Sequence, residues 1–250
     1  MTSVVSRVRV ALIHGVGLDG SMWGPLREFL EPEYDVQVLE LLGHGHRGKA
    51  APEGVTLAEL AADVAERLEP GTHVVGFSLG ALVAQHLARF RPDLVASLVS
   101  VGSVCARTAE EHAAVMTRLA SAESDFPATV EASIRRWYPE GSPVPAEIIE
   151  ATREVLLRND PESFLACYRV FATADAEIAP ELPRITVPSH AVTGELDPGS
   201  TPEMSARLAA AIPGCTYSVI SGARHMMPVE RPQELANTLT ALFKEHSHVH

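Results

Sequence analysis

The sequence predicts an α/β fold: a mostly parallel central sheet flanked by helices, with a helical insertion between two of its strands. Three observations predict it. Short runs of β-branched and aliphatic residues alternate with helix-length segments in both the first and the last part of the chain. That alternation stops for roughly 80 residues, from Ala109 to about Leu182, where helical patterns are broken repeatedly by proline. Between the apolar run Thr72–Val75 and the helical pattern after it stands Gly76-Phe77-Ser78-Leu79-Gly80, a sharp strand-to-helix turn with serine at its apex.

In chain order, Val8–Ile13 reads as the first strand and ends at the turn His14-Gly15-Val16-Gly17. A helix near Trp23–Leu30 and a strand at Asp35–Leu41 follow, then the glycine-rich 43–48 segment, expected to be a flexible loop. Thr56 is placed to cap a helix running to Leu68. His73–Val75 is a strand, and Ala81–Phe90, free of Gly and Pro and closed by Pro92, is a helix. Leu94–Val101 reads as a buried strand. Strand, tight turn, helix and strand make the right-handed crossover unit of a parallel sheet. After the insertion come a strand within Ile185–Thr193, a helix at Pro202–Ile212, a strand at Thr216–Ile220 and a last helix at Pro232–Glu245.

A chain of 250 residues suits one core built from 1–104 and 183–250, with 105–182 inserted as a helical cap. The net charge of −12 and the lack of any basic cluster argue against a nucleic-acid partner. No run approaches the ~18 apolar residues of a membrane span, and Val8–Ile13 is too short for a signal peptide. Cys105, Cys167 and Cys215 are odd in number and widely spaced, which suits reduced thiols in a cytoplasmic protein. Asp125, Asp175 and Glu177 in the insertion read as surface charge, and the tail His246–His250 as a solvated end. Nothing in the chain speaks to its oligomeric state.

A serine hydroxyl becomes a nucleophile only beside a general base, and that base needs an orienting carboxylate. His225, in the loop Ser221–Pro228 after one predicted strand, is the candidate base. Asp197, in Thr193–Pro198 after the preceding strand, is the candidate acid, with Glu195 competing. Two donors must face the oxyanion of a tetrahedral intermediate. Leu79 N–H follows the serine, and Val16 N–H lies in the glycine turn, with Gly15 as the alternative. His14 reads as a structural hydrogen-bonding residue. Met22 and Trp23 either line the pocket floor or pack nearby. His44 and His46, even with His73 and His86, fit no zinc spacing, so no metal is expected. The glycine-rich segments lack the endings of phosphate- or dinucleotide-binding loops.

With this set assembled, the chain resembles the α/β-hydrolase superfamily from about Val8 to Phe243. The resemblance rests on the His14-Gly15 turn, the Gly43-His44-Gly45 loop, the Ser78 elbow, Asp197, and His225 within Gly222–Pro232, all in matching order. It implies the α/β-hydrolase fold and the chain order nucleophile, acid, base. The insertion is similar to the cap of 3-oxoadipate enol-lactonases and related small-ester hydrolases at Arg136-Trp137-Tyr138 and Asn159–Tyr168. Leu79 and Ala81 depart from the usual Met and Gly of that group, and Glu40 and Leu42 from the Asp and Pro of many relatives. By resemblance Trp137 and Arg136 face the substrate pocket; the alternative is an ordinary pair in the cap.

The expected function is a serine hydrolase acting on a small carboxylic ester or lactone through an acyl-enzyme, without a cofactor. The expected partner is a small-molecule acyl substrate, not nucleic acid or membrane. The same residues also allow carbon–carbon bond hydrolysis of a diketone or ring-cleavage product, and a non-catalytic small-molecule receptor.

Overall fold

The computed structural model describes residues 7–49 and 54–246. Its six strands are β1 (Arg9–Ile13), β2 (Asp35–Leu39), β3 (Thr72–Phe77), β4 (Val95–Val101), β5 (Ser189–Gly194) and β6 (Thr216–Ile220). They form one sheet in the order β2-β1-β3-β4-β5-β6, and every pairing is parallel. The interior strands are buried along almost their whole length, as a sheet covered by helices on both sides requires. Ala11, Ile13, Val74 and Leu98 face one core; Val10, Leu12, Val75 and Val99 face the other.

Helices α1 (Gly24–Leu30), α2 (Leu57–Ala65) and α3 (Leu79–Phe90) belong to the first part of the chain. Thr56 caps α2 with a full capping box, its hydroxyl accepting from Glu59 N–H while the Glu59 carboxylate accepts from Thr56 N–H. Between β4 and β5 come α4 (Ala109–Ser124), α5 (Phe126–Trp137), α6 (Ala146–Leu157) and α7 (Pro161–Ile178). Helices α8 (Pro202–Ala211), α9 (Met227–Glu230) and α10 (Pro232–His246) complete the fold. The short α9 was not expected, because Pro228 reads as a loop residue in isolation. The strand expected over Ile185–Thr193 is confined to β5, so Ile185–Pro188 is lead-in. Only His246 of the histidine tail falls within the described residues.

Two further expectations are corrected. Asp175 is not surface charge: it is buried and paired with the equally buried Arg107, which also donates to the Phe171 and Ala172 carbonyls. The pair ties the start of the insertion to α7, and its partner lies 68 residues away in sequence. Nor is the 43–48 segment merely a loose loop. It contains a 3-10 turn at Gly45–Arg47, whose His46 N–H donates to the Glu40 carboxylate; Gly20 N–H reaches that carboxylate from the other side.

The sheet order places β1 and β3 side by side, with β2 beyond one and β4 beyond the other, so the chain leaves their carboxyl ends in opposite directions. This is the switch point where open α/β sheets leave a crevice. Ser78 ends β3 there in a left-handed conformation, φ 53° and ψ −113°, and α3 begins at the next residue. A non-glycine residue held this way stores about 1–3 kcal/mol of strain, which the surrounding packing must offset. The two flanking glycines allow it. A Cβ on Gly76 would fall 2.1 Å from the Gly80 carbonyl oxygen, and one on Gly80 would fall 2.3 Å from the Ile13 carbonyl oxygen. Both obstacles are backbone, so neither can rotate away.

The turn after β1 is held by two fully buried histidines. His14 Nε2 accepts from Leu41 N–H at 3.0 Å, so its proton is on Nδ1 and is donated to Gly15 O. His44 Nε2 accepts from Gly17 N–H at 2.8 Å, and its Nδ1 faces Leu42 O. Burial pushes the pKa of His14 down to about 4 and that of His44, further opposed by His14, down to about 3. Both rings are therefore neutral in the fold and titrate near 6.5 once unfolded. Their contribution is complete above pH 6.5 and is lost as pH falls toward the folded-state values.

Two outcomes follow. Urea midpoints should fall steadily between pH 7 and pH 4, and His44→Gln should flatten that slope; a midpoint independent of pH over this range would contradict the account. Gly80→Ala should cost about 3 kcal/mol or more in urea unfolding, at or beyond the top of the usual overpacking range.

Candidate active site

His225 follows β6 in the turn Ser221–Met226, and Asp197 follows β5, its parallel neighbour. Adjacent strands ending at the same edge bring the two together across 28 residues: His225 Nδ1 lies 2.6 Å from Asp197 Oδ2, and both residues are buried. The other carboxylate oxygen, Oδ1, accepts from Gly199 N–H at 2.9 Å and Ser200 N–H at 3.0 Å. These bonds fix the carboxylate's orientation and leave Oδ2 aimed at the ring. With Nδ1–H donated to Asp197, the tautomer leaves a lone pair on Nε2.

The His225 ring packs against Phe77, the residue before Ser78, with centroids 4.8 Å apart. Gly102 lies beside both rings at φ 55°, a conformation that favours glycine, and a Cβ there would lie 3.3 Å from Phe77 Cε2. Ser78 is itself buried, 4% exposed, at the junction of β3 and α3. The structure thus brings Ser78, His225 and Asp197 to one edge of the sheet. Glu195 is the acid that points elsewhere: its carboxylate accepts from Ser221 Oγ and Gly222 N–H, fastening the acid loop to the histidine loop. Gly194 permits that contact, because a Cβ there would strike the Ala223 carbonyl oxygen at 2.4 Å.

Leu79 N–H opens α3, where the first amides of a helix have no intrahelical acceptor. Val16 sits between two close approaches. A Cβ on Gly15 would fall 3.1 Å from Ser78 Cβ, and one on Gly17 would strike Phe164 and Leu156 of the insertion. The Val16 turn is therefore wedged between the serine and the helices above it. Asn159, at the end of α6, locks it further by donating to Gly17 O at 2.7 Å. Nothing in the sequence marks Asn159 for this task; its partner is 142 residues away.

The insertion closes over this edge. Trp137, the last residue of α5, stacks on His225 with centroids 5.8 Å apart, and Arg136 lies over the Trp137 ring. A cavity of about 50 Å³ lies between the insertion and the site, bounded on the site side by Val16, Trp137 and Gly199. Leu156, Phe164 and Phe171 form apolar wall; Arg118, Arg136, Thr129 and Ser133 add polar groups. That volume holds a few waters or a short acyl chain. Trp137 and Arg136 line it; Trp23 does not. Its indole is fully buried beneath the elbow, edge-on to Phe77 at 6.3 Å, within the core cluster that includes Val75 and Val99. Met22 lies instead at a separate surface depression beside α6. Among the described residues no three His, Cys, Asp or Glu side chains gather as metal ligands, and no helix is long and apolar enough to cross a membrane.

Residues 10–238 match the model of the Alpha/beta hydrolase family. Among curated proteins, the (E)-2-((N-methylformamido)methylene)succinate hydrolase of Acinetobacter baylyi is 28% identical over 93% of this chain and 89% of its own. A pimeloyl-[acyl-carrier protein] methyl ester esterase of Vibrio vulnificus is 29% identical, covering 92% of both chains. Among solved structures, the enol-lactonase of Burkholderia xenovorans superposes with a TM-score of 0.84 at 25% identity, over 96% of this chain and 92% of that one. A thermophilic esterase of Thermogutta terrifontis reaches 0.84 at 26% identity, over 96% and 91%. The chain belongs to the alpha/beta hydrolase family.

Proposed function

We propose that the protein is a carboxylic-ester hydrolase of esterase or lactonase type, working through a Ser78–His225–Asp197 triad. The observation that carries this reading is the 2.6 Å contact of Asp197 with His225 Nδ1, made by a ring packed against the residue preceding Ser78. The named activities of the relatives, esterase and enol-lactonase among them, point the same way.

Ser78 Oγ attacks the ester carbonyl carbon as its proton passes to His225 Nε2. The carbonyl oxygen becomes an oxyanion, which accepts hydrogen bonds from Val16 and Leu79 N–H. Collapse of the tetrahedral adduct breaks the bond to the leaving oxygen, which takes the proton from His225. In a lactone that oxygen stays attached to the acyl chain. Water then gives a proton to His225 and attacks the acyl-enzyme, and the second adduct collapses to free acid and Ser78. Asp197 holds the ring in the productive tautomer and stabilises the imidazolium in both halves. The triad supplies general-base help of about 10²–10⁴-fold, and each oxyanion donor about 3 kcal/mol. This chemistry needs no cofactor.

The helices α4–α7 serve in this reading as a cap whose inner surface selects a small-molecule acyl substrate. Burial raises the thiol pKa of Cys105 and Cys215 to about 11 and of Cys167 to about 12. Three free thiols without a disulfide suit a reducing, cytoplasmic setting.

On p-nitrophenyl butyrate, Ser78→Ala should reduce kcat by at least about 10³-fold, and Asp197→Asn by about 10⁴-fold through the wrong tautomer. Circular dichroism and urea midpoint should show both variants folded. Retained turnover in a folded Ser78→Ala protein would overturn the mechanism.

A further inference from the structure

The cavity above the triad is lined by two arginines that no carboxylate in its lining pairs. Arg118 comes from α4 and Arg136 from α5, and both line the cavity, yet neither forms an ion pair among the described residues. Arg89, Arg107 and Arg207, each partly or fully buried against the insertion or its ends, are all paired with carboxylates. Arg136 makes one protein hydrogen bond, to Ser133 Oγ at 3.3 Å, and leans on the Trp137 ring. Burial first, and then the repulsion of Arg118, lowers the Arg136 pKa, against the weaker opposing pull of Tyr168 and of the Asp197 carboxylate. A guanidinium nevertheless stays protonated in a protein, so two like charges face one small space.

The hydroxyls beside them extend the pattern. Thr129, Ser133 and Arg136 lie at i, i+4 and i+7 along α5 and so share one face of that helix. Thr129 Oγ1 is buried and has no hydrogen-bond partner in the protein, although its residue lines the cavity. A buried hydroxyl without a partner is unfavourable, and a bound acceptor would relieve that cost. No Asp or Glu lines the cavity. Two guanidiniums without an ion pair, one orphaned hydroxyl and a second hydroxyl therefore line this space together with Tyr168, and each is able to donate to an anion.

Resting on the hydrolase reading, we propose that Arg118, Arg136, Thr129 and Ser133 form a recognition site for a carboxylate on the acyl part of the substrate. The preferred substrates are then half-esters or lactones of short dicarboxylic acids, not neutral alkyl esters. A carboxylate suits the site because its two oxygens can accept from the guanidiniums and the hydroxyls together. Binding at this distal point also draws the scissile carbonyl toward Ser78 and Val16, using remote binding energy to position the reacting atoms.

The test compares two esters of similar shape, p-nitrophenyl hydrogen glutarate and p-nitrophenyl 5-methylhexanoate. The wild-type protein should prefer the charged ester in kcat/KM by about 10- to 100-fold, the range expected of charge-assisted hydrogen bonds. In Arg136→Met and Arg118→Met that ratio should fall by about tenfold or more, chiefly through KM for the charged ester. An ester with a cationic acyl chain should be the poorest of the three in the wild type. Direct binding separates this inference from the mechanism: Ser78→Ala should still bind glutarate by calorimetry, and Ser78→Ala with Arg136→Met should not. If Ser78→Ala remained active while the charge preference held, the nucleophile assignment would fall and the carboxylate site would stand. Equal rates on both esters, an unchanged ratio in both arginine variants, or tighter binding of inorganic phosphate than of glutarate would overturn the carboxylate site.

Discussion

The left-handed backbone at Ser78 is the constraint on which the rest of the structure depends. A serine in that conformation is unfavourable by itself, so every neighbour must be shaped to hold it. Gly76 and Gly80 let β3 and α3 approach until their backbones touch, and Gly15 lets the first turn come down against the serine. Ser78 N–H donates to Val101 O on the adjacent strand, and Ser78 O accepts from Ala81 N–H in the helix. The strain is thus distributed over an elbow, two strands and a loop. Only a sheet packed on both faces has the rigidity to hold them in place.

From that point the architecture is a matter of which loops the parallel sheet delivers to the same edge. β1 brings the Val16 turn, β3 the serine, β5 the carboxylate and β6 the histidine. Cross-links then fix the loops to one another. Glu195 joins the acid loop to the histidine loop, His44 joins the Val16 turn to the 43–48 turn, and Asn159 joins that same turn to the insertion. The insertion completes the site through Trp137, which stacks on His225 while the residue beside it points charge into the cavity. Selectivity and chemistry are thus carried by different layers of one fold.

Legibility in the sequence followed the range of the interactions. The elbow, the capping box at Thr56 and the candidate triad rest on local turn chemistry at strand ends, and local chemistry is visible in a string of residues. Asp197 could be preferred to Glu195 because it stands further beyond the strand, and the structure gives each carboxylate a distinct partner. Asp175 was opaque, since its partner Arg107 is 68 residues distant and nothing local marks either as buried. Trp23 was equally opaque, because an indole under the elbow and an indole in a pocket leave the same trace in sequence. The polar face at Thr129, Ser133 and Arg136 was present as a helical spacing. Its meaning depended on Arg118, contributed by a different helix, and on a cavity lining that holds no carboxylate.

The central claim is that Ser78 carries the acyl group between the two halves of the reaction. Rapid acid quench of the protein with a p-nitrophenyl ester, followed by intact mass and peptide mapping, tests it most directly. The account predicts a mass increase of one acyl group, located on the peptide containing Ser78, which forms and decays at rates compatible with kcat. Turnover with no acyl adduct, or an adduct on a residue other than Ser78, would contradict it.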